Sequence, residues 1–143
     1  MEQRGTIIHR ERAKQLRDFS GLKYGNITPT DIDGFIDFGD RAFVFFEIKC
    51  EGMVLPVGQR LALERVTDAA EMAGKYSFAI IAEHNTPVQQ DIDVANCIAT
   101  ETRWKMKWTI FKERHTLKQI IDNFLNKYLP SYLIAESEAT DKA

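Results

Sequence analysis

Cysteine is scarce here: Cys50 and Cys97 are the two thiols in 143 residues. They are too few and too far apart for a metal cluster or a disulfide framework, so both are expected to be free in a reducing compartment. Long apolar runs are missing as well, and none approaches the ~18 residues that cross a bilayer. The polar start, Met1-Glu2-Gln3-Arg4-Gly5, lacks a signal-peptide pattern. The expectation is no membrane partner and a cytoplasmic location. Proline and glycine are both modest, at four and eight, and there are no internal repeats or low-complexity segments. With 44% hydrophobic and 28% charged residues, the chain can bury a real core as one compact domain. We expect that domain over 1–135, with 136–143, small and polar, as a frayed tail.

A large net charge is also absent, but the value of −2 conceals an uneven distribution. Residues 1–26 carry six Lys/Arg against three Asp/Glu, and 103–118 carry six against one. Between them, 27–102 carry five against thirteen. An acidic middle between basic segments can hold a carboxylate metal site flanked by phosphate-binding arms, although solvated faces give the same count.

Hydropathy patterning predicts a helix over Thr6 to about Asp18, stopped by Gly21. Asp31 to Phe38 alternates as a strand, with Ile32, Gly34, Ile36 and Phe38 on one side and Asp31, Asp33, Phe35 and Asp37 on the other. After the Gly39-Asp40 turn, Ala42 to Cys50 reads as a second strand. A helix over 59–73 follows, capped by Gly74, and then an apolar strand from Tyr76 to Ala82. Weaker strands are expected around Ile92–Ile98 and Lys105–Phe111. Thr116 opens a closing amphipathic helix that Pro130 ends. The order implies an α/β protein: a single domain with a central mixed β-sheet flanked by helices.

The chemistry-bearing set lies on the hairpin. Hydrolysing a phosphodiester needs an activated water and positive charge near the phosphate; two carboxylates and a backbone carbonyl can hold Mg²⁺, and a lysine can orient water or neutralise charge. Alternation puts Glu47 and Lys49 on one face of the second strand and turns Ile48 to the core. Asp33 joins that face only if the turn has three residues, Gly39-Asp40-Arg41, which pairs Phe38 with Ala42 and Asp33 with Glu47. A two-residue turn would pair Asp33 with Phe46 and separate the carboxylates.

The run Pro29-Thr30-Asp31-Ile32-Asp33-Gly34, followed by Phe45-Phe46-Glu47-Ile48-Lys49, resembles the motif of the PD-(D/E)XK nuclease superfamily, over roughly residues 5–84. The resemblance implies a restriction-endonuclease-like α-β-β-α-β core and Mg²⁺- or Mn²⁺-dependent cleavage of DNA, as in phage exonucleases, restriction enzymes and Holliday-junction resolvases. It assigns Asp33, Glu47 and the Ile48 carbonyl to metal and Lys49 to catalysis. Gln59, in the first turn of the next helix, would contact the site or the DNA, and Glu11 would be an extra acidic ligand. Proline does not directly precede the aspartate, and Asp31 and Asp33 compete for its role. Asp33 is favoured because Gly34 leaves room for a substrate backbone.

Other residues have plainer readings. Arg60, Glu64 and Arg65 are expected as a salt-bridged surface, and His9, His84 and His115 as structural or surface histidines. In Trp104-Lys105-Met106-Lys107-Trp108, strand alternation would send both tryptophans and Met106 to the core. The expected function is a divalent-metal deoxyribonuclease, structure-selective or nonspecific, with RNA not excluded and a homodimer suited to cutting both strands. The alternative is a non-catalytic nucleic-acid-binding or scaffold protein of the same fold.

Overall fold

The structure, a computed structural model, describes residues 9–133, so the expected tail over 136–143 lies outside the described residues. The chain divides into two compact units at Thr30/Asp31. In the N-terminal unit the expected helix over Thr6–Asp18 is reduced, among the described residues, to α1, Arg10–Ala13. The reason is physical: Leu16, an apolar residue within the expected helix, is 97% exposed, and α1 buries no residue. A helix this short has little intrinsic stability without a packed face. Later in this unit Tyr24 and Ile27 exchange backbone hydrogen bonds across a tight turn at Gly25-Asn26.

The second unit is an α/β fold built on one five-stranded mixed sheet flanked by helices. Its elements are β1 (Gly34–Phe38), β2 (Ala42–Cys50), α2 (Val57–Met72), β3 (Tyr76–His84), β4 (Ile98–Trp104), β5 (Lys107–Thr116) and α3 (Leu117–Tyr128). The strands lie side by side in chain order; β2 and β3 are parallel and the other neighbours antiparallel. The parallel pair requires a crossover, and α2 supplies it.

Strand alternation divides the core between two faces. Ala42 and Val44 of β2, Phe78 and Ile80 of β3 and Ala99 of β4 pack against Leu117, Ile121, Phe124, Leu125 and Leu129. Phe45, Ala79 and Ile81 face the other way, onto Leu63 of α2. The closing helix has a complete N-terminal cap: Thr116 accepts from the Gln119 N–H, and the Gln119 side chain accepts from the Thr116 N–H. Each such pair satisfies two amide groups that a helix start leaves open.

Two weaker expectations change. The strand foreseen over Ile92–Ile98 is instead a loop with a short 3-10 turn, Val94–Asn96, and β4 begins only at Ile98. The strand foreseen over Lys105–Phe111 starts at Lys107 and continues to Thr116. Trp104-Lys105-Met106-Lys107-Trp108 is therefore a hairpin turn, with Trp104 paired to Lys107 and with Lys105 and Met106 at positive φ (48° and 67°). The tryptophans consequently lie on opposite faces: Trp104 against Phe78, Phe124 and Tyr128, and Trp108 in the α2-side cluster. Tight hairpins of this hand normally carry Asn or Gly at such positions, so the sequence shows no turn signal here.

Candidate metal centre on the hairpin

The turn between β1 and β2 has three residues. Phe38 pairs with Ala42, and the register runs back through Ile36–Val44 to Gly34–Phe46. The Arg41 N–H donates to the Phe38 carbonyl (3.1 Å), and Gly39 and Asp40 both take positive φ, 61° and 62°. Asp40 tolerates this because its N–H donates to the Asp37 carboxylate at 2.7 Å and its own carboxylate holds Lys75. A side chain at position 39 would also strike the Tyr132 hydroxyl.

With this register Asp33, one residue before β1, falls opposite Glu47. Its Oδ2 accepts the Ile48 N–H at 2.7 Å, and its carboxyl is hydrogen-bonded with that of Glu47. The hairpin thus satisfies the geometric condition set by the sequence. Asp33 is exposed and Glu47 is buried, at 4% exposure, so the pair connects solvent to the interior. Two carboxyls in contact within an apolar wall resist ionising together. Burial above all, then the hydrogen bond and charge of Asp33, push the Glu47 carboxyl up from 4.5 to about 8; Asp31 adds a smaller push. Asp31 thus acts on Glu47 through its charge, whereas Asp33 makes the contact.

Gly34 does not favour Asp33 in the way expected from the sequence. The space beside Gly34 does not receive a substrate backbone: a Cβ there would lie 1.9–2.5 Å from the ring of Phe46, its cross-strand partner. Glycine at 34 makes room for that ring on the opposite face of the sheet from Glu47.

Ile48 turns its side chain to the α3-side core, as expected. In a strand the N–H and C=O of one residue point the same way. The Ile48 carbonyl is therefore directed with its N–H toward the β1 side, past the last ladder pair. Lys49 shares the Glu47 face, and its Nζ lies 3.1 Å from Oε2 of Glu83 on β3. Sequence reading missed Glu83, because only the parallel register, Lys49 beside Glu83, brings it there. Its one signal is a charge that ends the apolar run of β3.

Gln59 is the third residue of α2, half-buried, one turn before the buried Leu63. The crossover places the start of α2 at the end of the sheet where β2 and β3 finish, the end at which open α/β sheets commonly bind ligands. Glu11 is exposed on α1 of the N-terminal unit. A cleft of about 260 Å³ opens beside Glu83, and Arg114 of β5 contributes a cation to its wall. His84 lines this cleft, and its Nδ1 accepts the Thr86 N–H.

The expected salt-bridged surface of α2 finds its partners on the strands of the sheet. Arg60 pairs with Glu101 of β4 and stacks over Trp108, 4.4 Å from the ring centroid. Glu64 accepts the Trp108 indole N–H, and Asp68 receives both arms of Arg103 at 2.9 and 2.8 Å. Arg65 is exposed.

Among the described residues, no three His, Cys, Asp or Glu side chains gather into a metal-binding group. The donors at the hairpin are two carboxyls and a carbonyl. That set suits Mg²⁺, which is commonly held by one or two carboxylates and keeps several waters. A divalent cation would also offset the burial and the like charge that together push the Glu47 carboxyl up. Comparison with family models, curated proteins and solved structures yields no match to this chain.

Proposed function

We propose that the protein is a divalent-metal-dependent nuclease of the PD-(D/E)XK type that hydrolyses phosphodiester bonds in DNA. The observation that carries this reading is the three-residue turn, which joins Asp33 to Glu47 on the face that also bears Lys49. Asp33, Glu47 and the Ile48 carbonyl would hold Mg²⁺ or Mn²⁺. When bound, the ion supplies Lewis acidity at the phosphate and lowers the pKa of a bound water. Lys49 orients water or offsets negative charge developing on the phosphate, and Gln59 contacts the substrate from the start of α2. Glu11 is the weakest member of the set and is proposed as an accessory ligand on the resemblance alone.

Structure-selective or nonspecific cleavage is the proposed mode, and a homodimer would supply the two sites that a double-strand cut needs. The two free cysteines agree with a reducing, cytoplasmic setting. Among the described residues no helix is long and apolar enough to cross a membrane.

The test is cleavage of labelled single-stranded, duplex and branched DNA, and of RNA, with Mg²⁺ or Mn²⁺. Glu47→Ala and Lys49→Ala should each lower the rate by about 10²-fold or more, as removal of a charge-stabilising group does elsewhere. Cleavage indifferent to both substitutions would refute the site. Nucleic-acid binding without cleavage under either metal would favour a binding or scaffold role.

A further inference from the structure

Glu83 of β3 is a third carboxyl at the end of β2, directly beside Lys49. Asp33 and Glu47 belong to the proposed metal site, and Lys49 is two residues from Glu47 on the same strand face. A flexible lysine placed so near a carboxylate pair would ordinarily close on it and occupy the place of a cation. The structure has another arrangement: Lys49 Nζ is drawn sideways to Glu83 on the neighbouring strand, at 3.1 Å, with both side chains partly buried, 19% and 25% exposed. The parallel register fixes this partner, since Lys49 and Glu83 are direct neighbours across β2 and β3. Partial burial makes the pair less screened than one on an open surface.

We infer that Glu83 is a positioning residue that holds the Lys49 ammonium off the Asp33–Glu47 pair, leaving those carboxyls open to a divalent ion. This inference rests on the nuclease reading. Glu83 neither ligates the metal nor touches the substrate; it acts through Lys49. Its neutral isostere would release the ammonium toward Asp33 and Glu47, where it competes with the ion.

The experiment measures Mn²⁺ binding by calorimetry for the full chain as wild type, Glu83→Gln, Glu83→Asp, and Glu83→Gln combined with Lys49→Ala. Circular dichroism and thermal melting check that each variant is folded. Glu83→Gln should weaken Mn²⁺ binding roughly tenfold, the lower end of what loss of a group supporting a metal site causes. Glu83→Asp should restore most of the affinity. Adding Lys49→Ala to Glu83→Gln should return it to the wild-type value or above, because the competing ammonium is gone. If the double variant stays as weak as Glu83→Gln, Glu83 is itself a ligand and the proposal is overturned. Unchanged affinity in Glu83→Gln, with wild type binding and cleaving normally, overturns it while leaving the nuclease reading intact. Wild-type protein that binds no Mn²⁺ and cleaves nothing overturns the nuclease reading and this proposal together.

Discussion

The two faces of the sheet are made from the same strands but by different means. Toward α3 the contacts are almost wholly apolar, and Phe78, Trp104, Phe124 and Tyr128 form a continuous ring cluster with centroids 4.5–6.5 Å apart. Toward α2 the apolar cluster has, among the described residues, Phe45, Leu63, Ala79 and Ile81 as its buried members. Phe43, Leu55 and Val66 pack against it partly buried, Phe35 joins Phe43 and Phe45 in ring contacts at 4.9–6.3 Å, and directed polar contacts complete the face: Arg60–Glu101, Arg103–Asp68, Trp108–Glu64, Ser77 to the Thr67 carbonyl and Lys49–Glu83. The candidate site lies on this second face. Burial of apolar surface is non-directional, whereas hydrogen bonds and ion pairs fix directions. One side of the sheet therefore supplies most of the stability, and the other uses part of it to hold charged groups in place.

That division can be broken at several points. Phe124→Ala should cost most, about 3–5 kcal/mol, since it opens a cavity inside the aromatic cluster; denaturant melts measure it. A loss below about 1 kcal/mol would mean that the α3 face is not the main source of stability. Glu47→Gln should act in the opposite direction. The folded-state carboxyl, raised from 4.5 to about 8, binds its proton more tightly than the unfolded chain does. The contribution of Glu47 to metal-free stability is then full below about pH 4.5, falls as pH rises toward 8, and levels off above it. The glutamine variant should match wild type at low pH and exceed it by roughly 2–4 kcal/mol at pH 9 without metal. Melts across pH would show a gap that widens with pH; a gap independent of pH would contradict the raised Glu47 carboxyl, and with it the burial and the Asp33 contact that raise it. Asp68→Asn is the smallest of the three, at about 2 kcal/mol, because it weakens both hydrogen bonds of a largely buried Arg103. The same measurement should find no such loss for the exposed Arg65→Ala.

How far the sequence foretold this depends on whether a contact is local. Strand β2 has the expected bounds, Ala42–Cys50, because its apolar alternation and its turn are contiguous in the chain. The closing helix was equally legible, since Thr116, Gln119 and Leu117 through Tyr128 carry cap and stripe together. The hairpin offered two registers, and only backbone geometry at Gly39-Asp40-Arg41 chooses between them. What could not be read depended on distant partners. Glu83 meets Lys49 across 34 positions of chain, and Trp108 meets Glu64 across 44. Lys105 and Met106 misled because neither residue type marks a positive-φ turn. The first helix misled because a helical stripe forms a helix only when something covers it.

The hairpin turn bears on how this protein can change over time. Exposed turns are ordinarily where chains gain or lose a residue at little harm. At Gly39-Asp40-Arg41 a one-codon deletion would shift the pairing of β1 by one and turn Asp33 to the face opposite Glu47. Every residue of the motif would still be present in the gene, in the same order, while the carboxyl pair no longer existed in space. The length of this turn, rather than its composition, is the trait that selection on the proposed activity would guard most closely.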